Sequence, residues 1–304
     1  MHKEQLLINI RPIWYDWVRI KKMGDITEIM FSEHKSTTCK IKMLPGSKFM
    51  LLETGEIFDI KHMENRADDK NSIRVSLGKL RDYLNTNITE VQNCRWVTLT
   101  YSANMTDTKQ LYKDFKNFNK RMRNYIGHYE YIVAMEPQGR GAWHCHVVMI
   151  FDKKAPYIPN QELAEIWQKG FVTVKKLDDV DNVGAYLTAY LGDMELQDAI
   201  TEGINFDSYQ VKEIDIEDDT GQALKKKYVK GARLNMYPPN FNLYRCSRGI
   251  KKPLIEHMKE IDAQKKISAE TLTFERTISL SDEEKGYKNT LNYRYYNSKR
   301  TNSQ

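Results

Sequence analysis

The sequence predicts an α+β protein built on an antiparallel sheet with helices on one face, of the split β-α-β type. Three observations lead to that expectation. Between residues 72 and 191, short β-branched and aromatic runs alternate with stretches whose apolar residues recur at helical spacing. Two of the runs flank the linker Pro137-Gln138-Gly139-Arg140-Gly141, which suits a hairpin loop. At 304 residues with 40% hydrophobic and 29% charged side chains, the chain has material for roughly two domains and a well-buried core. Disordered, collagen-like and disulfide-scaffold classes are excluded by the same composition.

Residues 1–70 mix apolar runs with turn signals at Pro45-Gly46 and Thr54-Gly55, the pattern of a β-rich N-terminal extension. From Ser72 to Asn85, Val75, Leu77, Leu80 and Leu84 outline a short amphipathic helix. Arg95 to Tyr101, RWVTLTY, is β-branched or aromatic everywhere but Arg95 and Leu99, as in a buried strand. Thr106 or Asp107 can cap the next helix, in which Leu111, Phe115, Phe118, Met122 and Ile126 share one face and lysines line the other. Strands are expected at Tyr129–Glu136 and Trp143–Phe151, then a short helix near Glu162–Gln168, a strand at Phe171–Lys175 and a helix near Asp181–Leu191. Residues 71–193 thereby form the core. Residues 194–304 form a C-terminal extension expected to pack on it.

Nothing in the chain reads as a membrane span or a secretory signal, since no run of about 18 apolar residues occurs. A cytoplasmic protein is expected. Cys39, Cys94, Cys145 and Cys246 are scattered without a CxxC pair, so they are expected as reduced thiols rather than disulfides or a zinc site.

The net charge of +6 permits nucleic-acid binding without establishing it. Its distribution is sharper. From Asp193 to Asp219 there are ten acids and one base, Lys212; from Thr220 to Lys252 there are nine bases and no acid. Lys225, Lys226, Lys227, Lys230, Arg233, Arg245 and Arg248 are interleaved there with Tyr228, Tyr237, Phe241 and Tyr244. Cations among rings suit a strand of nucleic acid, whose phosphates need counter-charge and whose bases need stacking surfaces. A solvated basic face against the acidic segment fits those residues equally well.

On a strand, alternate side chains share a face, so His144 and His146 point the same way. Glu136, just before the hairpin loop, can lie beside them on the partner strand and complete a two-histidine, one-carboxylate set. A lone HxH is more often packing or surface than a metal site. Tyr186 and Tyr190, four residues apart, stand on one helix face and can reach a common substrate, though they fit an ordinary helix core as well. Phenol, with a pKa near 10, is a weak nucleophile unless a neighbouring cation or an activated phosphate assists it.

Taken together and in order, RWVTLTY, Glu136 with GRGAWHCHVVMIF, IWQKGFVTV and NVGAYLTAYL resemble the motifs of the HUH endonucleases, in particular the rolling-circle replication initiators of phages, plasmids and mobile elements. The resemblance is close over Leu77–Leu191 and looser through Lys230–Pro253. It implies a ferredoxin-like or RRM-like core, with His144, His146 and Glu136 as ligands of Mg2+ or Mn2+ and Tyr186 and Tyr190 as nucleophiles. It implies nicking of one DNA strand at an origin, a 5′-phosphotyrosine link, a free 3′ hydroxyl and later rejoining. Single-stranded or origin DNA is then the substrate. With no Walker A pattern in the chain, a host helicase and a DNA polymerase are the expected partners in a bacterial cell. Similar proteins include single-strand transposases and relaxases, and a non-catalytic origin-binding protein is the alternative of another class. One departure is clear: such proteins usually carry a lysine three residues after the tyrosine, where this chain has Ala189 and Asp193.

Overall fold

The structure is a computed structural model that describes residues 11–35, 39–60, 69–177, 182–188, 193–201, 210–217, 223–282 and 287–300. The first strands are β1 (Trp17–Met23), β2 (Ile26–Ser32), β3 (Ile41–Leu44), β4 (Lys48–Leu51) and β5 (Ile57–Asp59). Next come α1 (Lys70–Asn87), β6 (Cys94–Thr100), α2 (Thr108–Ile126), β7 (Glu130–Pro137), β8 (Trp143–Ile150), α3 (Asn160–Trp167), β9 (Val172–Lys175) and α4 (Val183–Thr188). They are followed by β10 (Met194–Glu195), α5 (Leu196–Thr201), β11 (Val211–Glu217), β12 (Ala223–Val229) and β13 (Tyr244–Cys246). The last are β14 (Leu254–Lys259), α6 (Glu260–Lys266), β15 (Thr271–Asp282) and β16 (Tyr287–Asn297).

The chain divides into two compact units, residues 64–252 and residues 1–63 with 253–304. This differs from the linear division into 1–70, 71–193 and 194–304: the N-terminal segment shares a unit with the C-terminal strands, because β1 pairs with β14 and β2 with β16. Residues 194–252 fall in the same unit as the core.

In the unit of residues 64–252 the main sheet has the order β13-β7-β8-β6-β9 and every pairing is antiparallel. Its four central strands follow the order second, third, first, fourth, the arrangement of a split β-α-β unit. The fold class expected from sequence is thus the one observed, α+β on antiparallel sheets. One face of this sheet packs Val97, Leu99, Val133, Cys145 and Val147 against Leu111, Phe115, Phe118 and Met122 of α2 and Leu163 and Trp167 of α3. The opposite face buries Ile132, Ala134 and Val148 with Leu80 and Leu84 of α1 and Val183 of α4. Helices therefore stand on both faces rather than one.

Local causes set these elements. Asp69 caps α1 by accepting the Ser72 amide at 2.9 Å, and Asp107 caps α2 by accepting the Lys109 amide at 2.8 Å. The Tyr101 hydroxyl donates to Asp114 at 3.0 Å, joining the end of β6 to α2. Gly141, at φ +83°, supplies the left-handed residue that closes the β7–β8 hairpin. The four cysteines are free thiols. No helix among the described residues is long and apolar enough to cross a membrane.

In the other unit, the sheet order is β14-β1-β2-β16-β15, so the N-terminal hairpin lies between strands from the C-terminal segment. One face packs Val18, Ile20, Ile29 and Phe31 against Ala263 of α6 and Ile267 beyond it. Arg294 and Glu260 form a buried two-point ion pair at 2.6 and 2.8 Å. Strands β3, β4 and β5 form a separate small sheet.

Candidate metal centre

The register of the central sheet assembles the site. Glu136 pairs directly with His144 across β7 and β8, while Thr100 and Thr98 of β6 stand opposite His144 and His146. All five therefore share the sheet face on which α1 and α4 pack. Nε2 of His144 and Nε2 of His146 each lie 3.0 Å from the same carboxylate oxygen, Glu136 Oε1. Among the described residues, Glu136, His144 and His146 form a group whose ligand atoms lie within 4.8 Å of one another and can hold a metal ion.

Surrounding groups hold the rings in place. Thr98 Oγ1 lies 3.3 Å from His146 Nδ1, the second nitrogen of that ring, and Trp96 stacks on His146 with centroids 5.4 Å apart. A hydrogen-bonded outer nitrogen fixes ring orientation and tautomer, as in most histidine metal sites. The threonine hydroxyl can donate or accept, so it suits either tautomer.

Electrostatics also favour a cation here. Burial pushes the Glu136 carboxyl up, yet hydrogen bonds from His144 and His146 and the charge of Arg233 hold it well below the ordinary carboxylate value. Glu136 is a buried anion. Burial outweighs the Glu136 carboxylate and lowers His144 from the ordinary 6.5, so its ring is neutral at neutral pH and has a lone pair to offer. Glu136 Oε2 is buried with no hydrogen-bond partner among the described residues. Two converging imidazoles and an orphaned carboxylate oxygen are the donor set that a divalent cation satisfies, so the residues fit the metal that the resemblance implies.

Arg233 completes the cluster. It sits in a 3₁₀ turn, Ala232–Met236, and its Nη1 donates to Glu136 Oε1 at 2.6 Å. Of the basic residues noted in the sequence, it is the one placed inside the site. Lys225 pairs with Glu213 at 3.1 Å on the β11–β12 hairpin, and Lys227 and Lys230 are exposed there. Arg245 lies over the Tyr112 ring at 3.6 Å, and Arg248 is exposed. The Lys226 side chain lies outside the described residues.

Tyr186 belongs to α4, but its side chain lies outside the described residues, as does the whole of Tyr190. The backbone of α4 is well defined. Asn85 of α1 accepts the Gly184 amide at 2.6 Å and donates to Asn182 at 2.9 Å, and Asn182 accepts the Ala185 amide at 2.8 Å. A Cβ on Gly184 would stand 2.5 Å from the Arg81 carbonyl oxygen, so only glycine permits this approach of α4 to α1. Ala189 lies outside the described residues. Asp193 is buried, accepts the Gly231 amide at 2.8 Å and lies 3.6 Å from Lys212.

Sequence reasoning missed Thr98, Trp96 and the inward role of Arg233. Alternation in RWVTLTY was the available signal for the first two, since Trp96, Thr98 and Thr100 share one face. Tyr237, buried beside the cluster with its phenol pushed well above 10 by burial and by the Glu136 charge, was also missed as a neighbour of the site.

Fold and site define an α+β domain with a two-histidine, one-carboxylate centre on a split β-α-β sheet. Residues 94–195, from β6 to the end of β10, match the model of the replication-associated protein family of the ORF2 type, consistent with a rolling-circle replication initiator. That segment includes Glu136, His144, His146 and both tyrosine positions. No curated protein and no solved structure matches the chain.

Proposed function

We propose that this protein initiates rolling-circle replication by nicking one DNA strand at an origin through a tyrosine and later rejoining it. The observation that carries the reading is the convergence of Glu136, His144 and His146 within a segment similar to replication-associated proteins. Support also comes from α4, which carries position 186 and packs on the sheet face bearing the cluster.

In this reading Glu136, His144 and His146 hold Mg2+ or Mn2+, which when bound neutralises phosphate charge and orients the phosphorus. The tyrosine oxygen of Tyr186 or Tyr190 attacks the phosphorus and loses its proton; the P–O3′ bond breaks, and the 3′ oxygen takes up a proton. The 5′ end stays on the protein as a phosphotyrosine. Because one phosphodiester replaces another, rejoining by the 3′ hydroxyl needs no ATP. With two tyrosines, the second can take over the strand in the next transfer. Single-stranded or origin DNA is the substrate, and Lys225, Lys226, Lys227, Lys230, Arg245 and Arg248 supply counter-charge to its backbone. A host helicase opens the duplex and a polymerase extends the 3′ end, in the cytoplasm of a bacterial cell.

The test is to incubate the full-length protein with Mn2+ and labelled single-stranded origin DNA and to seek an adduct that survives denaturation. An adduct mapped to Tyr186 or Tyr190, and lost in His144→Ala, is expected. Binding without any adduct would make the protein a non-catalytic origin-binding protein.

A further inference from the structure

The sheet of the unit formed by residues 1–63 and 253–304 is covered by α6 on one face, as described above. Its other face carries Trp17 and Arg19 of β1, Tyr293 and Tyr295 of β16, and Phe274 and Arg276 of β15. Strand register places them together. Arg19 pairs with Met30, Met30 with Tyr293 and Tyr293 with Arg276, while Glu28 pairs with Tyr295 and Tyr295 with Phe274. Directly paired residues project to the same side. An antiparallel sheet with one solvated face ordinarily presents polar side chains there. Here Trp17 is 54% and Phe274 51% exposed, and just before β1 Trp14 is 65% and Tyr15 71% exposed. In the other unit Trp143 and Trp167 are at most 2% exposed, so exposed indoles are concentrated here.

The charge on this face has one sign. Glu28 is the carboxylate of its central rungs, and it is neutralised by Arg19 at 2.7 Å, Lys21 at 3.2 Å and the Tyr295 hydroxyl at 2.6 Å. Arg276 and Lys259, which is the register partner of Trp17, have no ion-pair partner among the described residues. Exposed rings alternating with uncommitted cations are complementary to a polyanion that presents flat bases. A duplex hides its base faces, whereas a single strand offers both faces and phosphates.

We propose that this sheet face is a second nucleic-acid site, separate from the metal centre, which binds single-stranded nucleic acid by stacking bases on Trp17 and Phe274 while Arg276 and Lys259 contact phosphates. In the function proposed above, that strand is the DNA displaced or exposed at the origin. The identity of the strand as origin DNA rests on that reading; the stacking itself does not.

The experiment uses the full chain, a fluorescein-labelled thirty-nucleotide oligothymidylate and EDTA, so that binding is measured without metal or cleavage. Wild-type protein is expected to bind and to show quenching of tryptophan fluorescence, since exposed indoles stack on bases. Trp17→Ala with Phe274→Ala and Arg276→Ala is expected to lose roughly 10-fold or more in affinity, given the known effect of removing stacking rings. Trp17→Phe with Arg276→Lys keeps ring and charge and is expected to bind within about 3-fold of wild type, which separates stacking from misfolding. Undiminished affinity of the triple variant, or failure of the wild type to bind the oligonucleotide, overturns the proposal. Loss of affinity in both the triple and the conservative variant overturns it as well. His144→Ala is expected to bind normally. A protein that forms no adduct with origin DNA yet shows this pattern would refute the nicking function and leave the platform standing.

Discussion

Arg233 donates to the carboxylate oxygen that both histidines face, so the buried Glu136 already has a cation beside it. Removing one partner of a buried charge is costly, here on the order of 3 kcal/mol, because the remaining charge keeps its desolvation penalty. Arg233→Ala is therefore expected to lower the melting temperature of metal-free protein. Added Mn2+ is expected to raise it more in the variant than in wild type, since a second cation then replaces the missing one. Thermal unfolding with and without Mn2+ checks this; equal shifts in the two proteins would count against the arrangement. Much of the site was legible. His144 and His146 share a face because strand side chains alternate, and Glu136 falls opposite them because the hairpin loop is short. Arg233 was not legible as a site residue: it is 97 residues from Glu136 in sequence, and only the 3₁₀ turn brings it there. A guanidinium in a basic segment looks the same whether its partner is a phosphate or a carboxylate.

At the scale of elements, α4 depends on glycine more than on its own length. It is six residues long, too short to be stable alone, and its position comes from Asn85, Asn182 and the close approach at Gly184. Gly184→Val would force side-chain atoms against the Arg81 carbonyl and displace α4 from α1. The expected outcome is loss of covalent adduct with Mn2+ affinity retained, measured by calorimetry alongside the adduct assay. Parallel loss of metal binding would show that the helix and the ligand strands are coupled. Helices α1 and α2 and strands β6 to β9 were readable from period, because each buries a whole face. β13 was not, since three residues paired to β7 carry no period of their own. Placement of α1 and α4 on the second sheet face was hidden too, because helical period reveals that a face is apolar without saying which surface covers it.

The whole molecule consists of one unit continuous in sequence and one assembled from both ends. Residues 64–252 expressed alone are expected to fold and bind Mn2+, since the sheet and Glu136, His144, His146 and Arg233 all lie within them; cooperative unfolding and calorimetry test this. The other unit has a pH signature. Burial raises the Glu28 carboxyl, but Lys21, the Tyr295 hydroxyl and Arg19 more than offset it and leave the value below the ordinary 4.5. A lowered folded-state value gives stability that is complete above about 4.5 and lost as pH falls through the depressed value. Denaturant midpoints between pH 7 and pH 3 should fall more steeply for wild type than for Glu28→Gln. Identical slopes would remove Glu28 from the account. This division was invisible in sequence, because pairing of β1 with β14 and β2 with β16 leaves no local pattern.

Such a split sheet also has a history in time. Hairpin β1–β2 leaves the ribosome early, but both of its neighbours, β14 and β16, are made only after residue 252. Until then its two edges are open, and a lone hairpin is marginal in water. Closing the sheet means joining segments across the whole of residues 64–252, a loop whose closure entropy is reduced if that stretch has already collapsed into its own unit. The unit bearing the metal centre therefore folds first, and its completion sets how soon the other sheet can close.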